Sequence, residues 1–400
     1  MANVAGMKRK IPSNEQQEII SRKKTPGKES KVRSMLSSAN VVQTYPSLYR
    51  SFFTKDPSEW KDDASLRIEL EYPAHQKEEF FLVCPITQET QQYNPMADIA
   101  DTIQHIYDDY LTREQQKRFG DVQQGIMRQL TKYRNRREQP GYVAAIDQWN
   151  TQLRDLKQQH GALSLQETRR RHASYTLACH VLYQIYSRTV AFHADKLNRY
   201  KAFSNFVYGE VNPSFVNEMI ERTKMTVKSV FVDLGSGIGN AVLQVAAQTG
   251  CESFGIEIME TPCKLAKRQL KEYATRMKAW GLATGKVHFR QGDFLDGGQQ
   301  DLMATMRRAD VVLVNNYAFD STTNQDLLRL FLDLKEGAKI VSLKSFVHKN
   351  HKINARNFHL PESILQVQEL PYYSDAVSWS HQDGTFFIST VNRQRLAQYT

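Results

Sequence analysis

The stretch Val230-Phe231-Val232-Asp233-Leu234-Gly235-Ser236-Gly237-Ile238-Gly239-Asn240 constrains the fold of this 400-residue chain more than any other. A short, mostly apolar run of strand type enters alternating glycines, and a helical pattern follows from Ile238 to Thr249. Glycines there let the backbone turn tightly and approach a ligand closely. The same alternation continues. Strands are predicted at Ser253–Ile258, Lys286–Arg290, Asp310–Val314 and Ala338–Lys344, with a helix from Pro262 to about Lys278. Such a series gives a parallel sheet covered on both faces. Two last strands, Ala376–Trp379 and Thr385–Val391, are expected to form an antiparallel pair around Asp383-Gly384.

Three regions are expected. Residues 1–40 are poor in aromatics and carry Lys8-Arg9-Lys10, Arg22-Lys23-Lys24, Lys28, Lys31 and Arg33. They read as a disordered basic tail, either a solvated segment or an arm for DNA or nuclear import. Residues 41–189 read as an extension of short strands followed by helices. Strands are expected at Leu66–Leu70 and Glu79–Val83, and a helical face carries Ile99, Ile103 and Ile106. A glutamine- and arginine-rich stretch runs to about 139, where Pro140-Gly141 interrupts it. Helices follow over 142–157 and 165–188, the latter with Leu177, Val181, Tyr183 and Ile185 as candidate core and Arg169-Arg170-Arg171-His172 on its first half, a patch that also suits a solvated face. Residues 190–400 form the α/β domain.

A formal net charge of +10 favours a polyanionic partner without requiring one. No apolar run is long enough for a transmembrane span, and no secretory signal is expected. Cys84, Cys179, Cys251 and Cys263 make no CxxC pair, which argues against structural zinc and fits a reducing compartment.

The candidate site lies at the carboxyl ends of the parallel strands. A glycine turn alone is shared with dinucleotide folds, but Asp233 stands at the strand end and would repel a pyrophosphate. That carboxylate instead suits the cationic methionine end of S-adenosylmethionine. Glu257, 24 positions later, ends the second strand, where an acid accepts from ribose hydroxyls. Asp293 can accept from an adenine amine and Phe294 can pack on its face, although a plain loop explains these two equally well. Asn315-Asn316-Tyr317-Ala318-Phe319 follows the fourth strand. Aromatic walls can desolvate an amine there and an amide oxygen can position its nitrogen, with no need for a covalent nucleophile or a metal.

Taken with Tyr208-Gly209-Glu210, Phe254 to Glu257, Gly292 to Phe294 and Val377-Ser378-Trp379, these segments resemble one family closely. It is the non-SET histone lysine methyltransferases of the disruptor-of-telomeric-silencing type. The resemblance is strongest over about 175–395, and residues 41–174 resemble the amino-terminal part of fungal members. It implies a class I S-adenosylmethionine-dependent methyltransferase fold: a Rossmann-like, mostly parallel sheet with a terminal antiparallel hairpin, preceded by a mainly helical subdomain. It implies methylation of lysine-79 of histone H3 on whole nucleosomes, in the nucleus. Asp233, Gly235, Gly237, Asn240, Glu257, Asp293, Phe294 and Asn315 would bind the cofactor, with Tyr208, Gly209, Glu210 and Val211 as a loop closing over its methionine end. Asn315, Phe319, Trp379, Phe386 and Tyr208 would line the lysine channel, Asn315 foremost. Implied partners are histone surfaces, nucleosomal DNA through the basic tail and ubiquitinated histone H2B; no membrane is implied, and the chain would act as a monomer.

One departure stands out. Family members carry Tyr-Tyr in the last hairpin, where this chain has Phe386-Phe387. Phe386 can supply an apolar wall but no hydroxyl. The competing readings are a methyltransferase of the same fold acting on RNA or another protein, a binding module that lost activity, and a NAD-dependent oxidoreductase, the last disfavoured by Asp233.

Overall fold

The computed structural model describes residues 35–54, 64–87, 92–163, 171–193, 197, 211–372, 377 and 382–399. Residues 35–40, expected to belong to the tail, are part of the compact unit Met35–Thr400. Ser37 caps helix α1 (Ser38–Thr44), accepting from the Asn40 amide, and Ala39, Val41 and Val42 are buried.

The extension begins with β1 (Tyr49–Ser51), followed by β2 (Arg67–Glu71), β3 (Lys77–Phe81) and β4 (Val83–Pro85). β2 pairs with β3 and β1 with β4, both antiparallel. Five helices follow: α2 (Pro95–His105), α3 (Arg113–Phe119), α4 (Gly125–Arg136), α5 (Gln139–His160) and α6 (Tyr175–Thr189). Asn94 caps α2 with its side chain, and Pro95 occupies the first turn, where its missing N–H costs nothing. The expected break near Pro140 is present, since α4 ends at Arg136 and α5 begins at Gln139, and the same rule places Pro140 in the first turn of α5. In α6, Leu177, Val181 and Ile185 are fully buried as expected, whereas Tyr183 is exposed. Tyr183 stands two positions from both Val181 and Ile185, so the helical turn carries it off their face. Arg169 and Arg170 lie outside the described residues, and the described Arg171 and His172 precede α6.

The α/β part holds α7 (Pro213–Thr223), β5 (Val230–Leu234), α8 (Asn240–Thr249), β6 (Glu252–Glu257), α9 (Glu260–Ala279), β7 (Val287–Gln291), α10 (Gln300–Met306), β8 (Val311–Val314), α11 (Ser321–Leu330), β9 (Lys339–Ser342), β10 (Leu365–Tyr372) and β11 (Gly384–Val391). The strands form one sheet in the order β10-β11-β9-β8-β5-β6-β7. β5 to β9 are mutually parallel, and β11 runs antiparallel to β9 and β10. The terminal hairpin therefore exists, but its first strand is β10 and not the expected Ala376–Trp379. Pro371 is tolerated because β10 is an edge strand. Of the expected segment, Val377 is described, and it makes an isolated bridge to Val211.

A buried ionic cluster joins the extension to the sheet. Glu78 on β3 sits between two guanidinium groups: Arg188 of α6 donates to its Oε1 at 2.6 Å and Arg276 of α9 to its Oε2 at 2.7 Å. Arg188 also donates to Asp98 of α2 at 2.6 Å, and Arg276 to Glu272 at 3.0 Å. Ser38 N and Tyr72 Oη complete the donors to Glu78. Burial pushes the Glu78 carboxyl up, but Arg188 and Arg276 outweigh it and hold the group below its usual value. Asp98 is held down likewise, against its burial, by Arg188. These depressed carboxyls add stability above the unfolded carboxylate range, lost as pH falls through their folded values. Glu78→Gln leaves two guanidinium groups short of an anion in the interior. We expect it to lower unfolding free energy by about 3–5 kcal/mol, with extension and sheet lost together, as checked by urea unfolding followed by circular dichroism and tryptophan fluorescence.

Candidate cofactor and substrate site

The sheet order reverses at β5. β6 and β7 are added on one side, β8 and β9 on the other. A crevice opens at the carboxyl ends beside such a switch point. Register then fixes which residues meet there. Leu234 of β5 is level with Ile256 of β6 and with Val314 of β8, so Gly235, Glu257 and Asn315 begin one row. Glu257 is level with Gln291 of β7, which places Gly292 and Asp293 next in that row.

The glycine turn is built by backbone. Gly235 N and Ser236 N both donate to Ile256 O at 2.9 Å. Gly235 has φ +87°, and a Cβ there would meet nothing within 4 Å. This glycine is required by conformation, and its absent side chain leaves room in front of the strand end. Gly239 also has φ +87°, but there a Cβ would overlap the ring of Phe289. Gln269, buried on α9, holds the far side of the turn, donating to Ile238 O at 2.8 Å and to Asn240 Oδ1 at 3.1 Å. Sequence reasoning missed Gln269. Its signal was its place on the buried stripe of α9 with Ala266, Tyr273 and Met277.

Two buried acids, Glu257 in the row and Asp233 two residues before it on β5, are treated differently. Glu257 accepts from Gly237 N at 2.9 Å on Oε2 and from Met259 N at 2.8 Å on Oε1. Each oxygen keeps capacity for a hydroxyl donor. Burial raises the Glu257 carboxyl, and these amides oppose that. Asp233, 5% exposed, accepts no hydrogen bond from any described residue. Burial, with the Glu257 charge added, pushes its carboxyl up to about 8. A buried acid without a donor awaits a cation.

Asn315 and Asn316 divide their tasks. Asn316 is fully buried; its Oδ1 accepts from Leu343 N and Lys344 N, and its Nδ2 donates to Asn324 Oδ1 and Lys344 O. It clips the end of β8 to the end of β9. Asn315 is half-buried at the row, with Tyr317 N donating to its Oδ1 at 3.4 Å. Phe294 and Phe319 are partly buried on the same apolar cluster, their ring centres 6.0 Å apart. Asp293 is exposed and uses one oxygen to receive Leu295 N at 2.8 Å. Phe386 of β11 is wholly buried, its ring 5.1 Å from that of Phe215 on α7. Tyr208, Gly209, Glu210 and Trp379 lie outside the described residues; Val211 makes an antiparallel bridge to Val377.

The row suits S-adenosylmethionine. Asp233 would take its ammonium, Gly235 and Gly237 its methionine chain, and Glu257 its ribose, with Asp293 and Phe294 beside the adenine. Among the described residues no group of His, Cys, Asp and Glu could hold a metal ion. Fold and row together define a class I methyltransferase architecture.

The model for the family described as Histone methylation protein DOT1 matches residues 186–391, and the chain belongs to that family. It is 38% identical over 338 residues to a histone-lysine N-methyltransferase, H3 lysine-79 specific, of Aspergillus fumigatus, covering 84% of this chain and 66% of that one. It is 40% identical to the protein of that name in Gibberella zeae, covering 82% and 66%, and 48% identical over 223 residues to that of Yarrowia lipolytica, covering 56% and 45%. The chain thus spans about two thirds of the length of the first two relatives. Among solved structures it is similar to an O-methyltransferase from Bacillus cereus in complex with SAH, at a TM-score of 0.34 and 13% identity, covering 53% of this chain and 90% of that one.

Asp233 yields a pH test. Its folded pKa, about 8, lies above the ordinary aspartate value of 3.8. Its contribution to the stability of the ligand-free protein is therefore fully present below the unfolded value and lost as pH rises through about 8. A cation bound beside it favours the carboxylate, so binding should expel a proton and tighten as pH rises from about 6 to 8. Asp233→Asn should remove both effects. It should stabilise the ligand-free protein at pH 8 by a few kcal/mol, since each tenfold change in proton affinity on folding is worth ~1.4 kcal/mol. It should also weaken cofactor binding at least about tenfold. Calorimetry in buffers of different ionisation enthalpy checks the proton release, and thermal unfolding at pH 6 and 8 checks the stability.

Proposed function

We propose that this chain transfers methyl groups from S-adenosylmethionine to lysine-79 of histone H3 on nucleosomes, in the nucleus. The observation that carries this reading is the match to relatives named for that activity over more than four fifths of the chain. When bound, the cofactor supplies an electrophilic sulfonium methyl. Asp233 holds its cationic end and fixes its direction along the row, and Glu257 anchors the ribose.

On the other side of the switch point, Asn315 orients the neutral lysine amine through its amide oxygen. Phe319 excludes water from that amine and so favours its uncharged, nucleophilic form. Tyr208 and Trp379 would complete the closure, with Tyr208 to Val211 over the methionine end. Phe386 supplies a deep apolar wall backed by Phe215. The basic residues before 35 would contact nucleosomal DNA. Histone surfaces and ubiquitinated histone H2B are the further partners of this reading, with the chain acting as a monomer. The truncation that tests the tail ends at Ser34, because Leu36 N donates to Glu272 and Ser38 N to Glu78 in the folded unit.

Methyl transfer from labelled cofactor to intact nucleosomes, free histones and naked nucleic acid, with mass-spectrometric mapping, tests the reading. Label on the histone H3 core lysine in nucleosomes alone is expected; label confined to RNA or to another protein would replace it. Asn315→Ala should lower kcat about a hundredfold, with the cofactor Kd changed only a few-fold. Phe386→Tyr should shift the pH dependence of transfer or the ratio of methylated products; an unchanged profile would leave Phe386 the role of an apolar wall alone.

A further inference from the structure

The arginines of the sheet domain are largely matched to acids. Arg222 pairs with Glu218 and Arg329 with Asp326, both at 2.7 Å; Arg308 pairs with Glu252 at 2.9 Å, and Arg290 pairs with Asp301. The α3–α4 hairpin breaks this rule. Between residues 113 and 137 the chain carries eight basic and two acidic side chains, a surplus of six in a chain whose whole surplus is ten. Phe119, Ile126 and Leu130 turn inward. Arg128, Lys132 and Arg136 recur every four residues on the opposite side of α4, and Arg113 and Lys117 do the same on α3. Lys117 pairs with Glu114 at 2.7 Å and Arg136 lies 3.9 Å from Glu138, but no carboxylate among the described residues pairs with Arg113, Arg118 or Arg128, and all three are exposed.

We propose that this outward face of α3 and α4 is a second contact for double-stranded DNA, separate from the amino-terminal tail and from the cofactor crevice. From Arg128 to Arg136 the stripe spans about 12 Å, over which duplex DNA carries roughly seven phosphate charges. Gln123, Gln124 and Gln129 lie between the cations and supply neutral donors of the kind that bind phosphate oxygens. A protein partner is disfavoured by the lack of aromatic anchors. The exposed large hydrophobic residue on this hairpin is Val122, at its turn. Arg137 is not part of the face: its guanidinium donates to Phe52 O and lies over the Phe52 ring.

The test uses the full chain and needs no catalysis, so it stands or falls apart from the lysine assignment. The probe is a 30-base-pair duplex of arbitrary sequence, titrated over a range of salt. Replacing Arg113, Arg128, Lys132 and Arg136 together by Gln should weaken binding at least about tenfold near physiological salt and make the log–log salt slope shallower by about three to four, with cofactor affinity unchanged. The variant with Lys at the three arginines should bind as the parent does. Equal affinity and slope in the Gln variant would overturn the proposal. So would a Lys variant as weak as the Gln one, because charge would then not be the cause. Unchanged DNA binding with weakened binding to histone octamer would assign the face to an acidic protein surface and overturn it equally.

Discussion

Glu78 is the point on which the two halves of the molecule depend. A carboxylate at the centre of a protein is costly unless its oxygens are filled by well-placed donors. Here they are filled from three directions: Arg188 arrives from the extension, Arg276 from the helix that packs on the sheet, and Ser38 N from the start of the folded chain. No one element could satisfy Glu78 by itself. The charge therefore acts as a condition on assembly, since the extension cannot detach without stranding ions of both signs. Gln184 extends the same logic, donating to Asp98 while accepting from Trp280 Nε1.

That rigid frame supports a site built in the opposite way. At Asp233 a buried carboxyl is left without donors and its proton is held by the cost of desolvation. The ligand-free fold carries this as a local cost, and a cationic ligand relieves it. Binding energy is thereby made dependent on charge and on one direction of approach, which the strand end and the open space before Gly235 define. A cation entering the turn draws the carboxyl to its ionised form and gains an ion pair, whereas a pyrophosphate gains none, so one carboxyl separates this site from the dinucleotide sites that share its glycines.

Much of this was legible in the sequence, and the limits have physical causes. The five parallel strands were readable because most are short apolar runs bounded by a turn or a helix, and their carboxyl ends bring Asp233, Glu257 and Asn315 to one edge of the sheet. The first strand of the terminal hairpin was misplaced because Leu365–Tyr372 is an edge strand with Pro371 and an exposed face, a pattern weaker than the compact Ala-Val-Ser-Trp run after it. Tyr183 departs from the expected core because helical phase, more than side-chain hydrophobicity, decides which side of α6 a residue occupies. The Glu78 cluster was invisible for a deeper reason. Its members are separated by up to 240 positions, from Leu36 to Arg276, and each charge taken singly has the composition of a surface.

The site also shows how neighbouring residues of like chemistry acquire different work. Asn315 and Asn316 are adjacent and identical, yet the turn after β8 sends one amide into the interior, where two backbone donors and two acceptors use it completely. That clip sets the height of the β8 end against β9 and holds Asn315 at the row. Glu257 and Asp233 differ in the same sense. Backbone amides anchor the first as a fixed acceptor, while the second is denied donors. In the asparagine pair, the residue spent on backbone fixes the position of its neighbour, and local chain direction decides which is which. Substituting Asn316 should therefore disturb geometry before chemistry, whereas substituting Asn315 should disturb chemistry in an intact fold.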